Sequence, residues 1–202
     1  SRFRNKNLKH EYHKITNLKN GIKLSTNLKQ SLQNGLTTIV YNFVDMLSHS
    51  KTEMEMIKEL ASNDKAYRSL TYSWFINSPL FEIIKSASEY GFKLIITTDH
   101  GTINVKNPTK IIGDRNTSQN LRYKTGRSLT CNEKDNLIFN NPHEILLPKT
   151  SLNSSYVFAK EDFYLVYPNN YNHYSNYYKN TYQHGGVSME EMIIPFIVLN
   201  PK

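Results

Sequence analysis

Two apolar, β-branched runs, LTTIVYNFV at residues 36–44 and FKLIITT at 92–98, flank a long stretch of helical character. Runs of this composition and length are those of strands buried on both faces. Between them, residues 52–60 carry a helical pattern, and Asp64 caps a second helical stretch from Lys65 to Tyr90. Pro79 breaks that stretch, with Asn77 or Ser78 placed to cap its second half, and Gly91 ends it as a C′ glycine would. Strand, helices and strand in this order make a βαβ-type unit. The expectation is therefore an α/β fold with a largely parallel sheet flanked by helices. Sites in open parallel sheets lie beyond the carboxyl ends of the strands. Asp45 and Asp99 stand at that end of the two runs.

The rest of the chain is less regular. Residues 1–20 are polar and basic, and residues 20–34 read as a short helix ended near Gly35. From Gly101 to Lys149 the chain is loop-rich, with short strands expected at 103–105 and 136–139. Extended segments are expected at 155–160 and 163–167, and residues 169–182 form an Asn/Tyr-rich tract that is helical or irregular. The last strand is expected at 193–199, where Pro195 requires an edge or a bulge.

At 202 residues and 38 % hydrophobic content, the chain fits one domain with a real core and is not disordered in composition. The formal charge of +8 suits a polyanionic partner such as a phosphodiester, a nucleic acid or an acidic protein face, and equally suits plain solubility. Cys131 is the single cysteine, which rules out an intrachain disulfide and any Cys-based zinc site, and points to a reducing, cytoplasmic setting. No apolar run approaches the ~18 residues of a membrane span.

Three clusters carry the chemistry. Asp45 and His49 are four apart and share a face if the chain turns helical there. Metal binding and a helix-capping Asp beside a surface His both fit that spacing. Asp99-His100-Gly101 ends a strand of core character, where an ionisable pair is costly unless solvated, paired or metal-bound. His184-Gly185-Gly186 precedes Ser188-Met189-Glu190-Glu191, so an ordinary glycine turn followed by a capped acidic turn competes with a ligand site. Two carboxylates and three imidazoles are the donor set of a zinc-type centre, and the combination is more specific than any part.

His10, His13, His143 and His173 have no partner at useful spacing and read as surface residues. Arg115, Arg122 and Lys124, in the basic segment after Asp99-His100, are candidate holders of substrate phosphate, with a solvated loop as the alternative. The tyrosines of 171–182 suit a packed or half-exposed surface better than a base-stacking platform.

Read in order, Asp-x-x-x-His, Asp-His-Gly and His-Gly-Gly resemble the metal-ligand order of the alkaline phosphatase superfamily. The wider motifs narrow this resemblance. NFVDMLSH at 42–49, ITTDHGT at 96–102, GDR at 113–115 and QHGGVSMEEM at 183–192 look like the PglZ domain. The closest likeness is to the PglZ effector half of PorX-type response regulators, two-component proteins linked to type IX secretion, and it runs from about His10 to Lys202.

That resemblance implies two zinc ions in the complete domain, with Asp45, His49 and His184 holding one and Asp99 and His100 holding the second, and at most one of them well held by these residues alone. It implies an earlier Asp and a Thr or Ser nucleophile as well. Residues 1–35 contain no Asp, so these are expected upstream, and the chain is expected to be the C-terminal part of one PglZ domain, with residues 1–20 a basic lead-in and a receiver domain further upstream. The implied activity is zinc-dependent phosphodiester hydrolysis, on cyclic or linear nucleotides or oligonucleotides, with little turnover expected from these residues alone. Implied partners are the receiver domain, a sigma factor or secretion-system component, and a second copy in the complete protein. The alternative is a regulatory interaction module keeping a structural or vestigial metal site.

Overall fold

The computed structural model describes residues 9–32, 35–114, 117–149, 151 and 153–201, without the side chains of 48, 49, 51–53, 55 and 58. The chain divides into two compact units, one of residues up to Ile96 together with Phe196 onward, the other Thr97–Pro195.

In the first unit, β1 (His10–Ile15) leads through α1 (Leu18–Thr26) and α2 (Leu28–Ser31) to β2 (Leu36–Tyr41). The two strands pair in parallel from His10 opposite Leu36 to Ile15 opposite Tyr41. Asn17 caps α1 by accepting from the Asn20 N–H at 2.9 Å. Next come α3 (Phe43–Glu53), α4 (Glu55–Leu60), α5 (Asp64–Ile76), α6 (Pro79–Glu89) and β3 (Leu94–Thr97). Asn63, one residue before the expected Asp64, caps α5. Ser78 caps α6 with Pro79 in its first turn, where a missing N–H costs nothing. Past the end of α6, Gly91 has φ +80°, its N–H donating to Ser88 O at 3.1 Å and that of Phe92 to Ala87 O at 3.0 Å. This Schellman closure turns the chain directly into β3. The core joins Ile15, Leu24, Leu28, Leu32, Ile83 and Ala87. Full burial of one such leucine contributes about 1.5–3 kcal/mol.

The second unit is mostly β. It contains β4 (Ile103–Asn104), β5 (Asn107–Ile112), β6 (Tyr123–Arg127), β7 (Thr130–Cys131) and β8 (Asn136–Phe139). After a 3-10 turn at Pro142–Ile145 come β9 (Ser154–Ala159), β10 (Phe163–Val166), α7 (Tyr171–Tyr178), β11 (Tyr182–Gln183) and α8 (Met189–Met192). β9 lies between β6 and β8, antiparallel to both, and β5 lies between parallel β10 and antiparallel β7. Two apolar clusters fill the unit, around Val105 and Tyr164 and around Ile111, Val157 and Leu165. The chain then returns to the first unit as β12 (Phe196–Leu199), which pairs with β3.

The α/β class agrees with the sequence expectation, whereas the largely parallel sheet does not appear. The described strands form small two- and three-stranded sheets, with parallel pairing at β1–β2 and β10–β5 and antiparallel pairing in the second unit's other ladders. The two runs that bracket the helices do not pair with each other. β2 takes β1 as its partner and β3 takes β12. Among the described residues no helix is long and apolar enough to cross a membrane.

Candidate metal centre

Asp45 belongs to the first unit. The strand ends at Tyr41, earlier than its composition suggests, and Asp45 falls in the first turn of α3, where the helix dipole favours a carboxylate. The turn is fixed by aromatic packing. Phe43 stacks on Trp74 of α5 at 3.7 Å between ring centroids and 2° between planes, and the Tyr67 hydroxyl donates to Val44 O at 3.3 Å. The Asn42 amide approaches Asp45 Oδ2 at 3.5 Å. The backbone of His49 is one helical turn further along α3, as the i, i+4 spacing requires. Its side chain lies outside the described residues.

His100 and His184 are brought together inside the second unit. β11 pairs antiparallel with β4, Gln183 opposite Ile103. Continuing that register sets His184 beside the residues that directly follow His100. The two imidazoles stack with centroids 3.9 Å apart and planes 10° apart. His100 Nδ1 lies 3.0 Å from Gly101 O. A carbonyl only accepts, so Nδ1 carries the proton and the Nε2 lone pair is left for another partner. Asp99 Oδ1 lies 3.7 Å from that Nε2, and the Asp99 side chain is 92 % exposed. Two donors on one tetrahedral zinc, at about 2.1 Å each, are roughly 3.4 Å apart. The spacing of Asp99 and His100 is thus near what a shared ion requires and too long for a direct hydrogen bond. Asp99 Oδ1 and His100 Nε2 are thus two donors of the kind a zinc-type ion takes.

The turns carrying these rings are held from beneath by a buried ion pair. Arg122 is 0 % and Glu191 3 % exposed. Arg122 Nε donates to Glu191 Oε1 at 3.0 Å and Nη2 to Oε2 at 2.9 Å. Its remaining donors reach Phe163 O and Glu161 O. Glu191 also accepts from the Gly186 N–H at 2.8 Å and the Ser188 N–H at 3.2 Å. Burial alone would raise the pKa of the Glu191 carboxyl. The Arg122 hydrogen bonds and charge, with the Gly186 and Ser188 donors, outweigh burial and hold it below its usual 4.5. Asn120 adds a bond to His184 O at 3.2 Å.

Of the three basic residues read as phosphate holders, Arg115 lies outside the described residues. Arg122 and Lys124 are 0 % and 1 % exposed, and the guanidinium is spent on Glu191 and two carbonyls. Neither faces solvent in this structure, so the structure gives both a place different from the one their charge suggests. The Arg122–Glu191 pair is what the sequence reading missed. Its signal was present in Ser188-x-x-Glu191, a capping-box spacing that directs the Glu side chain back to a helix N-terminus.

Two stacked imidazoles with an aspartate beside one of them are donor types of a metal centre, set in a mixed α/β chain. The family model described as "BREX system PglZ alkaline phosphatase-like domain" matches residues 2–199, and the chain belongs to that family. No curated protein matches it.

Proposed function

We propose that the chain forms the metal-binding part of a zinc-dependent phosphodiesterase, the output domain of a PorX-type response regulator controlling type IX secretion, with nucleotide or oligonucleotide phosphodiesters as substrates. The observation that carries the proposal is the His100–His184 pair, stacked at 3.9 Å with His100 Nε2 left for a ligand, in a chain of alkaline-phosphatase-like family. In this reading Asp45, His49 and His184 hold one zinc, and Asp99 and His100 hold the second. The metals, when bound, polarise the phosphoryl oxygens and lower the pKa of bound water.

The chain's own residues have distinct tasks. Asp45 and Asp99 offset the cationic charge of the centre. His100 and His184 fix its geometry, the first ring held at Nδ1 and the second residue at its backbone carbonyl. Arg115 orients the substrate phosphate. A Thr or Ser nucleophile and one further Asp ligand complete the centre in this reading. The protein works in the cytoplasm.

One observation favours a second reading, an interaction module with a structural metal. β12 exposes both of its faces, Phe196 and Val198 at 69 % and 42 %, Ile197 and Leu199 at 47 % and 38 %. Metal content and hydrolysis of bis(p-nitrophenyl) phosphate by the complete protein, with Asp45→Ala and His184→Ala alongside, separate the two. The enzyme reading expects bound zinc and turnover in the wild type and a loss of at least 100-fold in each variant. Wild-type zinc without turnover, with signalling intact in Asp45→Ala, would overturn it in favour of the module.

A further inference from the structure

We propose that Glu191, clamped by Arg122, is the positioning residue that sets the His100 and His184 rings for metal. This rests on the reading of both histidines as ligands. Glu191 reaches both turns at once. Its side chain holds the Gly186 N–H at 2.8 Å, two residues after His184. Its backbone carbonyl accepts from the Gly101 N–H at 2.8 Å, one residue after His100. A Cβ at Gly101 would collide with the adjoining Glu190 carbonyl oxygen, so that contact admits only glycine. One residue therefore fixes the backbone beside each imidazole, and the ring stacking follows from two anchors that share an origin.

The energetics support a positioning role. α8 has four residues, and its capping box accounts for the Ser188 N–H contact of Glu191 but not for the ion pair with Arg122. Taking a carboxylate and a guanidinium out of water costs several kcal/mol per ion before they attract each other, and a hydrophobic pair of similar volume is often as stable or more so. What a hydrophobic pair lacks is a set of acceptors aimed at specific N–H groups. Both Glu191 oxygens are used twice, once by Arg122 and once by the Gly186 or Ser188 N–H. Arg122 is itself pinned to the carbonyls of Glu161 and Phe163, at the start of β10. The rings are thus referred to the core of the unit through a rigid fork.

The test compares wild type, the double variant Arg122→Met/Glu191→Leu, Glu191→Gln, and the control Val157→Ala, a core truncation at a position 0 % exposed in the same unit. Two readouts are taken on the full 202-residue chain: Co2+ affinity by titration, and the ring-current shifts of the His100 and His184 ring protons in metal-free protein. Outer contacts of metal ligands typically govern affinity by 10–100-fold. The double variant should lose that much, with its thermal midpoint no lower than that of Val157→Ala, while Val157→Ala keeps its affinity within about twofold. Should the double variant not fold, Glu191→Gln decides. It retains size and places an amide where two N–H donors converge, and its His100 and His184 ring-current shifts should collapse. Unchanged Co2+ affinity in the double variant, or unchanged shifts in Glu191→Gln, would overturn the positioning role. A wild type that binds no Co2+ while the ring shifts respond as expected would overturn the metal reading and leave the clamp standing.

Discussion

Arg122 and Lys124 stand two residues apart where the chain enters β6, equally buried, and the fold treats them in opposite ways. Around Arg122 the structure supplies a carboxylate and two carbonyls, and each of the three guanidinium nitrogens has an acceptor. Around Lys124 it supplies the face of Tyr167, with Nζ 4.5 Å from the ring centroid. A ring face attracts a cation by about 0.5–2 kcal/mol, less than the cost of desolvating it. Burial accordingly pushes the Lys124 amine down to about 8, while the hydrogen bonds and charge of Arg122 draw the Glu191 carboxyl down. Formal charge is therefore a poor guide to role here. One cation organises the turns that carry His100 and His184, and the other is a titratable group buried in β6 against the ring of Tyr167.

The largest effect separating the two regions should come from Arg122→Met alone. It leaves the Glu191 carboxylate buried with half its partners gone, and breaking such a pair from one side costs about 3–5 kcal/mol. Urea denaturation should show that loss. Removing both charges in Arg122→Met/Glu191→Leu should restore most of it. If the single variant loses less than about 1 kcal/mol, the pair is not buried as described and the contrast with Lys124 fails.

Lys124→Met should act in the other direction and depend on pH. Between pH about 8 and the ordinary lysine value near 10.5, the unfolded chain holds a proton at this site that the folded chain has released. Unfolding then takes up a proton, so stability rises with pH across that window. Below pH 8 the whole penalty, about 3 kcal/mol at 1.36 kcal/mol per pKa unit, is present. Methionine removes it, offset by the lost cation–π contact. The variant should be as stable as wild type or up to about 3 kcal/mol more stable at pH 7, with the gap closing towards pH 10.5. Cys131, whose thiol burial and the charges of Glu133 and Asp135 push up to about 11, works against this slope above pH 9 in both proteins. The difference between wild type and variant cancels it. A gap independent of pH would show that Lys124 stays protonated in the folded state.

These contrasts explain which parts of the molecule were legible in the sequence. Local chemistry was legible. Ser78-Pro79 and Gly91 mark the ends of α6 because a cap, a fixed φ and a positive φ are properties of single residues. Asp45 and His49 fall on one helix because their spacing requires only that a helix form. β1 was not legible. Its inward positions, Glu11 and His13, carry no apolar period, and they are joined to each other at 2.9 Å instead. Strand partners were not legible either, since pairing β2 with β1 and β3 with β12 is decided by contacts far apart in sequence. The same holds at the site. His100 meets His184 through the β4–β11 register, and nothing near Arg122 or Lys124 in the sequence says that either is sealed from solvent.

The smallest effect sharpens the Lys124 side of the comparison by dividing Tyr167 into its ring and its hydroxyl. The hydroxyl donates to Ser118 O at 3.2 Å, while the ring carries the cation. Tyr167→Phe keeps the face and loses the hydroxyl's neutral hydrogen bonds to Ser118 O and the Thr117 side chain, a cost of about 1 kcal/mol each. The apparent pKa of Lys124, read from the pH dependence of stability, should stay near 8 in this variant. Tyr167→Leu removes the face too. The amine then loses the attraction of the ring, and its pKa should fall further, widening the window in which stability climbs with pH. Equal shifts in both variants would mean that the hydroxyl rather than the ring sets the charge of Lys124, and the cation–π account of this region would have to be abandoned.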